Sequence, residues 1–196
     1  MSDIIRWSAV ETTAHICAKD VSVTEVTQAH LKRMEQANPT LNAVTHLIDG
    51  ALEVARSLDA GGVPDDASPL FGVPVTVKVN IDMADYPNTN GVPAFKDMTG
   101  PGDAPVTANL KSSGAVIIAR TNTPEFSMRW STSNSLHGVS LNPWNTALTP
   151  GGSSGAAAAA VASGIGAIAH GNDLGGSLRY PAYCCGVATI RPSLGR

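Results

Sequence analysis

Two serines that lie in glycine-rich turns are the residues of this sequence best suited to chemistry. Ser153 lies in the run PGGSSG at 150–155, and Ser177 lies in the run DLGGS at 173–177. Because glycine has no Cβ, such turns can bring a hydroxyl and several free N–H groups close to a bound carbonyl. A serine nucleophile and its oxyanion hole need this combination of groups. The two turns together therefore favour nucleophilic catalysis.

A lysine at the end of an apolar run is the third candidate. Lys78 follows the run VPVTV at 73–77, whose β-branched residues predict a buried strand. Burial disfavours the charged form of a lysine, and a neutral amine can accept a proton. A lone lysine at such a position more often covers apolar surface with its stem. Its occurrence in one chain with the two serine turns makes a general base the better interpretation.

The serine turns allow three other interpretations. The run at 151–155 fits the G-x-S-x-G pattern of the α/β-hydrolase nucleophile elbow. That elbow needs a strand directly before the serine, and the run NPWNTALTP at 142–150 does not predict one. A phosphate-binding loop would need the G-K-[ST] sequence, which is absent. For either turn taken alone, tight packing of a loop on a helix stays open.

Composition excludes several classes of protein. The chain has 196 residues, of which 43% are hydrophobic, a mean hydropathy of +0.04 and a net charge of -3. These values predict one globular domain with a substantial core. No basic face is available for a nucleic-acid backbone, so we expect no direct nucleic-acid partner. The N-terminus lacks the pattern of a signal peptide and no apolar run could span a bilayer, which predicts a cytoplasmic protein without a membrane partner.

The cysteine pattern argues against a metal site. Cys17 is isolated, and Cys184 and Cys185 are adjacent, a spacing that suits neither a disulfide framework nor a metal motif. We therefore expect core thiols, no metal and no cofactor.

Alternating helices and strands predict an α/β fold. Capping-box spacings at Ser8 and Ser22 predict two helices near the N-terminus, with Pro39 ending the second. Further helices are predicted at 51–58, 105–110 and 156–162, and strands at 43–47, 73–77, 115–119, 167–169 and 187–190. The segments 83–103 and 121–150 are predicted to be irregular.

These segments taken together resemble the amidase signature family over nearly the whole chain. The resemblance is carried by the runs GVPVTVKVNID, TNTPEF, NPW, PGGSSG and GNDLGGSLR, which begin at positions 72, 121, 142, 150 and 171. The serines at 153 and 177 are 24 residues apart, as is typical of that family. The resemblance implies that Ser177 is the acylated nucleophile, that Ser153 bridges and follows a cis peptide, and that Lys78 is the base.

The resemblance also implies roles for the residues around the nucleophile. The backbone N–H groups of Leu174, Gly175, Gly176 and Ser177 are the expected oxyanion donors, and Ser154 is expected to add a hydrogen bond to the proton relay. Asp173 and Arg179, which flank the nucleophile with opposite charges, are expected to form a structural ion pair that braces the turn.

The chain departs from the family pattern in a few places. Ala156, Asn172 and Arg191 stand where the family usually has glycine, threonine and lysine. Family members are usually more than twice as long. We therefore expect residues 1–196 to form the N-terminal part of a single catalytic domain, a mixed β-sheet flanked by helices and truncated at the C-terminus.

The function implied by the resemblance is hydrolysis of the C–N bond of a small-molecule amide through an acyl-enzyme. A homodimer is compatible with it. One alternative is the glutaminase subunit of a tRNA-dependent amidotransferase, although the run at 126–132 resembles stand-alone amidases more closely. A second alternative is a truncated paralogue without catalytic activity that acts as a binding protein.

Overall fold

The computed structural model describes residues 3–193, which form an α/β fold with helices on a mixed sheet. The helices are α1 (Ala9–Cys17), α2 (Val23–Leu41), α3 (Ala51–Gly61), α4 (Pro105–Ser112), α5 (Gly155–Ala162) and α6 (Arg179–Cys185). The strands are β1 (Val44–Leu47), β2 (Pro74–Lys78), β3 (Val116–Thr121), β4 (Ser133–Asn134), β5 (Gly138–Val139) and β6 (Ile168–His170). Among residues 3–193, no helix has both the length and the apolar character needed to cross a membrane.

Four strands form the sheet that positions the site, in the order β1-β3-β2-β6. Strand β1 is antiparallel to β3, whereas β2 runs parallel to both β3 and β6. The predicted mixed sheet is thereby confirmed. Every residue of β2 is buried, as its apolar sequence predicts. Because β2 and β6 are parallel neighbours, the residues at their carboxyl ends meet at one edge of the sheet.

Helix α5 packs against the sheet through small side chains. Ala156 to Ala160 are all buried between the sheet and the surrounding helices. A helix of alanines can approach a sheet closely because each residue carries only a methyl group. The N-terminus of α5, where Ser154 precedes Gly155, is therefore held near the end of β2.

The two predicted N-terminal helices are confirmed, with one correction. Ser8 and Ser22 both form complete capping boxes with Glu11 and Glu25. The prediction that Pro39 ends α2 is wrong by two residues. A proline lacks its own N–H, but the residues after it can still donate to the preceding turn. Helix α2 ends instead where Asn42 adopts a left-handed conformation.

The predicted strand at 187–190 is wrong, and the sequence does not predict α6. Residues 188–190 are exposed and have no strand beside them within residues 3–193, so β-branched composition alone does not make a strand there. Pro181 suggests a break in the sequence, yet it lies in the first turn of α6, where an N–H has no partner within the helix.

Two further expectations are corrected. Cys17 is exposed, so it is not a core thiol, whereas Cys185 is buried. The segment 121–150, predicted to be irregular, contains the short antiparallel pair β4 and β5.

Candidate active site

Lys78 is a fully buried polar group of the site. It ends β2, its side chain is 0% exposed, and its Nζ lies 2.7 Å from Ser153 Oγ and 2.8 Å from Asn172 Oδ1. The alternation of side chains along β2 directs Lys78 away from the face of Val77, whose neighbours are apolar. The strand therefore positions the Lys78 amine at the edge of the sheet where β2 and β6 end.

Burial changes the protonation of this amine. It lowers the pKa of Lys78 from 10.5 to about 7, and the negative charge of Asp173 opposes that shift. Removal from water disfavours the ammonium form more than the neighbouring carboxylate favours it. Near neutral pH, a large fraction of Lys78 is consequently a neutral amine that can accept a proton.

The turn that carries Ser153 is fixed by close backbone contacts. The peptide bond between Gly152 and Ser153 is cis, as the family resemblance implies. Thr132 Oγ1 donates to the carbonyl of Gly151 at 2.9 Å and accepts from the N–H of Gly155 at 3.1 Å. One threonine thus joins both ends of the turn and holds the buried Ser153 beside Lys78.

The two serine turns are joined through Ser154. Its N–H donates to the carbonyl of Ser177 at 3.1 Å, and its Oγ donates to the carbonyl of Asn172 at 3.2 Å. Ser177 is half-buried, and within residues 3–193 its hydroxyl has no hydrogen-bond partner. The structure therefore brings the turn of Ser177 against the residue that follows Ser153, with the Ser177 hydroxyl unengaged.

Asp173 organises the turn that carries Ser177. Its side chain is 0% exposed and accepts hydrogen bonds from the N–H groups of Gly176 at 2.7 Å and Leu178 at 3.1 Å. The guanidinium of Arg179 makes two further bonds to it, both of 3.0 Å. The Arg179 hydrogen bond, followed by those of the backbone, holds the pKa of Asp173 well below its usual range. The expected ion pair is present and is bidentate.

One of the four expected oxyanion donors is engaged elsewhere, and so is Ser154. The N–H of Gly176 donates to Asp173, because the turn curls around that carboxylate. Both the N–H and the hydroxyl of Ser154 bind backbone carbonyls. Within residues 3–193, the N–H groups of Leu174, Gly175 and Ser177 make no hydrogen bond to the protein, and Leu174 and Gly175 are exposed. These three donors are the ones available to a ligand.

The sequence does not reveal every residue that shapes the site. Asn172 stands out in the sequence only as a departure from the family pattern, yet it contacts Lys78 directly. Thr132 carries no sequence signal, because its partners are backbone groups about twenty residues away. Among residues 3–193, no group of three or more metal-ligating side chains comes together.

The chain is similar in sequence to proteins named as an amide hydrolase and as an amidotransferase subunit. The chain is 55% identical to an indoleacetamide hydrolase of Bradyrhizobium diazoefficiens over 97% of this chain and 37% of that protein. It is 42% identical to a glutamyl-tRNA(Gln) amidotransferase subunit of Acidothermus cellulolyticus over 100% of this chain and 39% of that protein. The chain therefore spans about two fifths of the length of these relatives.

Solved structures give the same result. A fatty acid amide hydrolase superposes with a TM-score of 0.86 at 31% identity, covering 91% of this chain and 32% of that one. A bacterial aryl acylamidase superposes with a TM-score of 0.83 at 34% identity, covering 90% and 37% of the two chains. The family model described as Amidase matches residues 25–196. Because that match spans most of the chain, the protein belongs to the amidase signature family.

Proposed function

We propose that the protein hydrolyses the C–N bond of a carboxylic amide through an acyl-enzyme formed on a Ser–Ser–Lys triad. In this proposal Ser177 is the nucleophile, Ser153 the bridging serine and Lys78 the base. The observation that carries the proposal is the distance of 2.7 Å between Ser153 Oγ and the amine of a fully buried Lys78. A lysine whose pKa is about 7 is partly neutral at that pH, which suits general-base catalysis there.

The proposed reaction moves one proton along the relay in each direction. Neutral Lys78 accepts the proton of Ser153, Ser153 accepts the proton of Ser177, and Ser177 Oγ attacks the amide carbon. As the C–N bond breaks, the proton returns from Lys78 through Ser153 to the departing nitrogen. Water then attacks the acyl-enzyme ester with the same base, which releases the acid and restores Ser177.

The turn of Ser177 supplies the proposed electrostatic stabilisation. The N–H groups of Leu174, Gly175 and Ser177 are free to face the oxygen that becomes negative when the carbonyl is attacked. Asp173 and Arg179 would act indirectly, since both are engaged in holding the turn.

For the substrate, we propose a small-molecule arylacetamide. The support is the similarity to two proteins named indoleacetamide hydrolase, at 55% and 64% identity, the second over 56% of this chain. This proposal also includes the cytoplasmic location predicted above and the homodimer with which the resemblance is compatible.

Active-site labelling tests the mechanism. A fluorophosphonate should phosphonylate Ser177 of the wild-type protein, with loss of fluoride, and should fail to label Ser177→Ala, because the proposed attacking oxygen has been removed. Ser57→Ala is a matched control, since Ser57 is exposed on α3 and its hydroxyl donates to the backbone carbonyl of Glu53. Labelling of Ser177→Ala at the wild-type rate would contradict the assignment.

A second candidate function is the glutaminase reaction of a tRNA-dependent amidotransferase. The similarity to the glutamyl-tRNA(Gln) amidotransferase protein of Acidothermus cellulolyticus supports it, at 42% identity across the whole chain. Release of ammonia from indole-3-acetamide and from glutamine, measured side by side, separates the two candidates. Hydrolysis of glutamine alone would favour the second. A protein that hydrolyses neither amide and takes up no fluorophosphonate would support the non-catalytic binding protein.

A further inference from the structure

We propose that Asn172 is a positioning residue that fixes the orientation of the Lys78 amine and the proton it carries. This inference rests on the proposed function, in which Lys78 is the base. Asn172 Oδ1 lies 2.8 Å from Lys78 Nζ, so it is one of two side chains that bind the amine within residues 3–193. The other is Ser153, which is part of the relay itself.

The backbone N–H and the backbone carbonyl of Asn172 are both bound by Ser154. Ser154 Oγ donates to the carbonyl of Asn172 at 3.2 Å and accepts from its N–H at 3.4 Å. Asn172 follows β6, and the ladder between β6 and β2 runs up to the pair His170 and Val77. Both the amide and the amine are thus anchored to the same edge of the sheet, with Ser154 as a cross-link.

The chemistry of the amide oxygen gives this contact its consequence. Oδ1 can only accept a hydrogen bond, so it must receive an N–H from Lys78. A neutral amine has two N–H groups and one lone pair. When one N–H is donated to Asn172, the amine can turn its lone pair toward the Ser153 hydroxyl, which is the arrangement that proton transfer needs.

Few charged or titratable groups face Lys78. Asp173 lies next in the chain after Asn172, and its charge raises the pKa of Lys78. His170, at the end of β6, has its pKa lowered by burial and then by the charge of Lys78. From β3, Arg120 donates to the Lys78 carbonyl at 3.4 Å, and the turn before α5 contributes only uncharged serines. Asn172 is neutral and contacts the amine directly. A charge introduced at this position should therefore have a clear effect on the pKa of Lys78.

Direct titration of Lys78 tests the inference without requiring catalysis. The chain has five lysines, so lysine labelled with ¹³C at Cε gives five signals, and Lys78→Ala identifies the one that belongs to Lys78. Asn172→Asp should raise the Lys78 pKa by about one to three units, because it puts a carboxylate beside the amine. Asn172→Leu should lower it, because the ammonium loses an acceptor. Asn109→Asp, which adds the same charge on the exposed face of α4, should leave it unchanged.

Fluorophosphonate labelling of the same variants tests the link to the relay. In Asn172→Asp the rise of the labelling rate with pH should move upward with the Lys78 pKa. In Asn172→Leu the rate at its plateau should fall by about tenfold or more, since the lone pair is no longer directed at Ser153. An unchanged Lys78 titration in both Asn172 variants would overturn the inference. If the titration shifts as expected but the wild-type protein is not labelled, the proposed function fails and the contact of Asn172 with the amine stands.

Discussion

The base and the nucleophile of the proposed triad lie in regions that are stabilised in different ways. Lys78 belongs to β2, a strand with neighbours on both sides and no exposed residue. Ser177 belongs to a half-exposed turn whose shape depends on one carboxylate, that of Asp173, which binds two backbone N–H groups and Arg179. Burial sets the protonation of the first region, and hydrogen bonding sets the geometry of the second.

This difference has consequences for stability and for activity. Burying the Lys78 ammonium away from water costs the folded state free energy. The buried Asp173 carries no comparable cost, because five hydrogen bonds from Gly176, Leu178 and Arg179 compensate its charge. Replacing Lys78 should therefore lower activity and raise stability, whereas substitutions that disturb the packing or the hydrogen bonds of the turns should lower stability.

Removing the base should have the largest effect. Lys78→Ala should reduce the rate of fluorophosphonate labelling by about 10²- to 10⁴-fold at pH 7.5, which is the usual contribution of a general base. Lys111→Ala is a suitable control, since Lys111 lies on α4 and pairs with Asp103 rather than with any residue of the site. A labelling rate close to that of the wild type would remove Lys78 from the relay.

The same region should gain stability when its charge is removed. The folded-state pKa of Lys78 is about 7 and its ordinary value is 10.5, so between these values the unfolded chain binds a proton that the folded chain does not. Stability should therefore rise with pH across this window, and the cost of Lys78 should be complete below pH 7. At pH 6, Lys78→Met should raise the free energy of unfolding by about 1–3 kcal/mol in urea titrations. The gain should shrink as the pH approaches 10, and a loss of stability at pH 6 would contradict this account.

The glycines of the two turns should differ in how they tolerate a methyl group. A Cβ on Gly152 would lie 2.6 Å from the carbonyl oxygen of Arg129 and 2.6 Å from the nitrogen of Ser131, both backbone atoms that cannot move aside. A Cβ on Gly175 would meet nothing within 4 Å. Gly152→Ala should lower the free energy of unfolding by about 1–3 kcal/mol. Gly175→Ala should change the melting temperature very little, and equal losses in both variants would show that the turns are packed alike.

The sequence predicts the buried region better than it predicts the turn. Strands β1, β2, β3 and β6 lie within about two residues of their predicted positions. Short apolar runs bounded by turn residues are typical of buried strands. Lys78 can be predicted as a buried base for the same reason. The direction of a backbone N–H depends on tertiary contacts instead. The engagement of Gly176 with Asp173 is therefore not visible in a run whose letters suggest four equal donors.

Errors at the end of the chain have a similar origin. Composition at 187–190 suggests a strand, but a strand also needs a neighbour, and none lies there among residues 3–193. Pro181 suggests a break, but its effect depends on its position within α6. In both cases the local sequence reflects the preference of the residue itself, whereas the structure depends on the segments around it.

The smallest expected effect concerns the threonine that joins the ends of the Ser153 turn. Thr132 Oγ1 makes two hydrogen bonds to backbone groups, whereas the hydroxyl of Thr27 on α2 is equally buried and has no partner within residues 3–193. Thr132→Val should therefore cost about 1–2 kcal/mol of unfolding free energy, since it leaves a buried carbonyl and N–H unpaired. Thr27→Val, which removes the same atom, should be neutral or stabilising. Chemical denaturation of the two variants measures the difference. If they were equally destabilised, shape rather than hydrogen bonding would hold the turn, and the contrast between the buried strand and the hydrogen-bonded turns would not extend to Ser153.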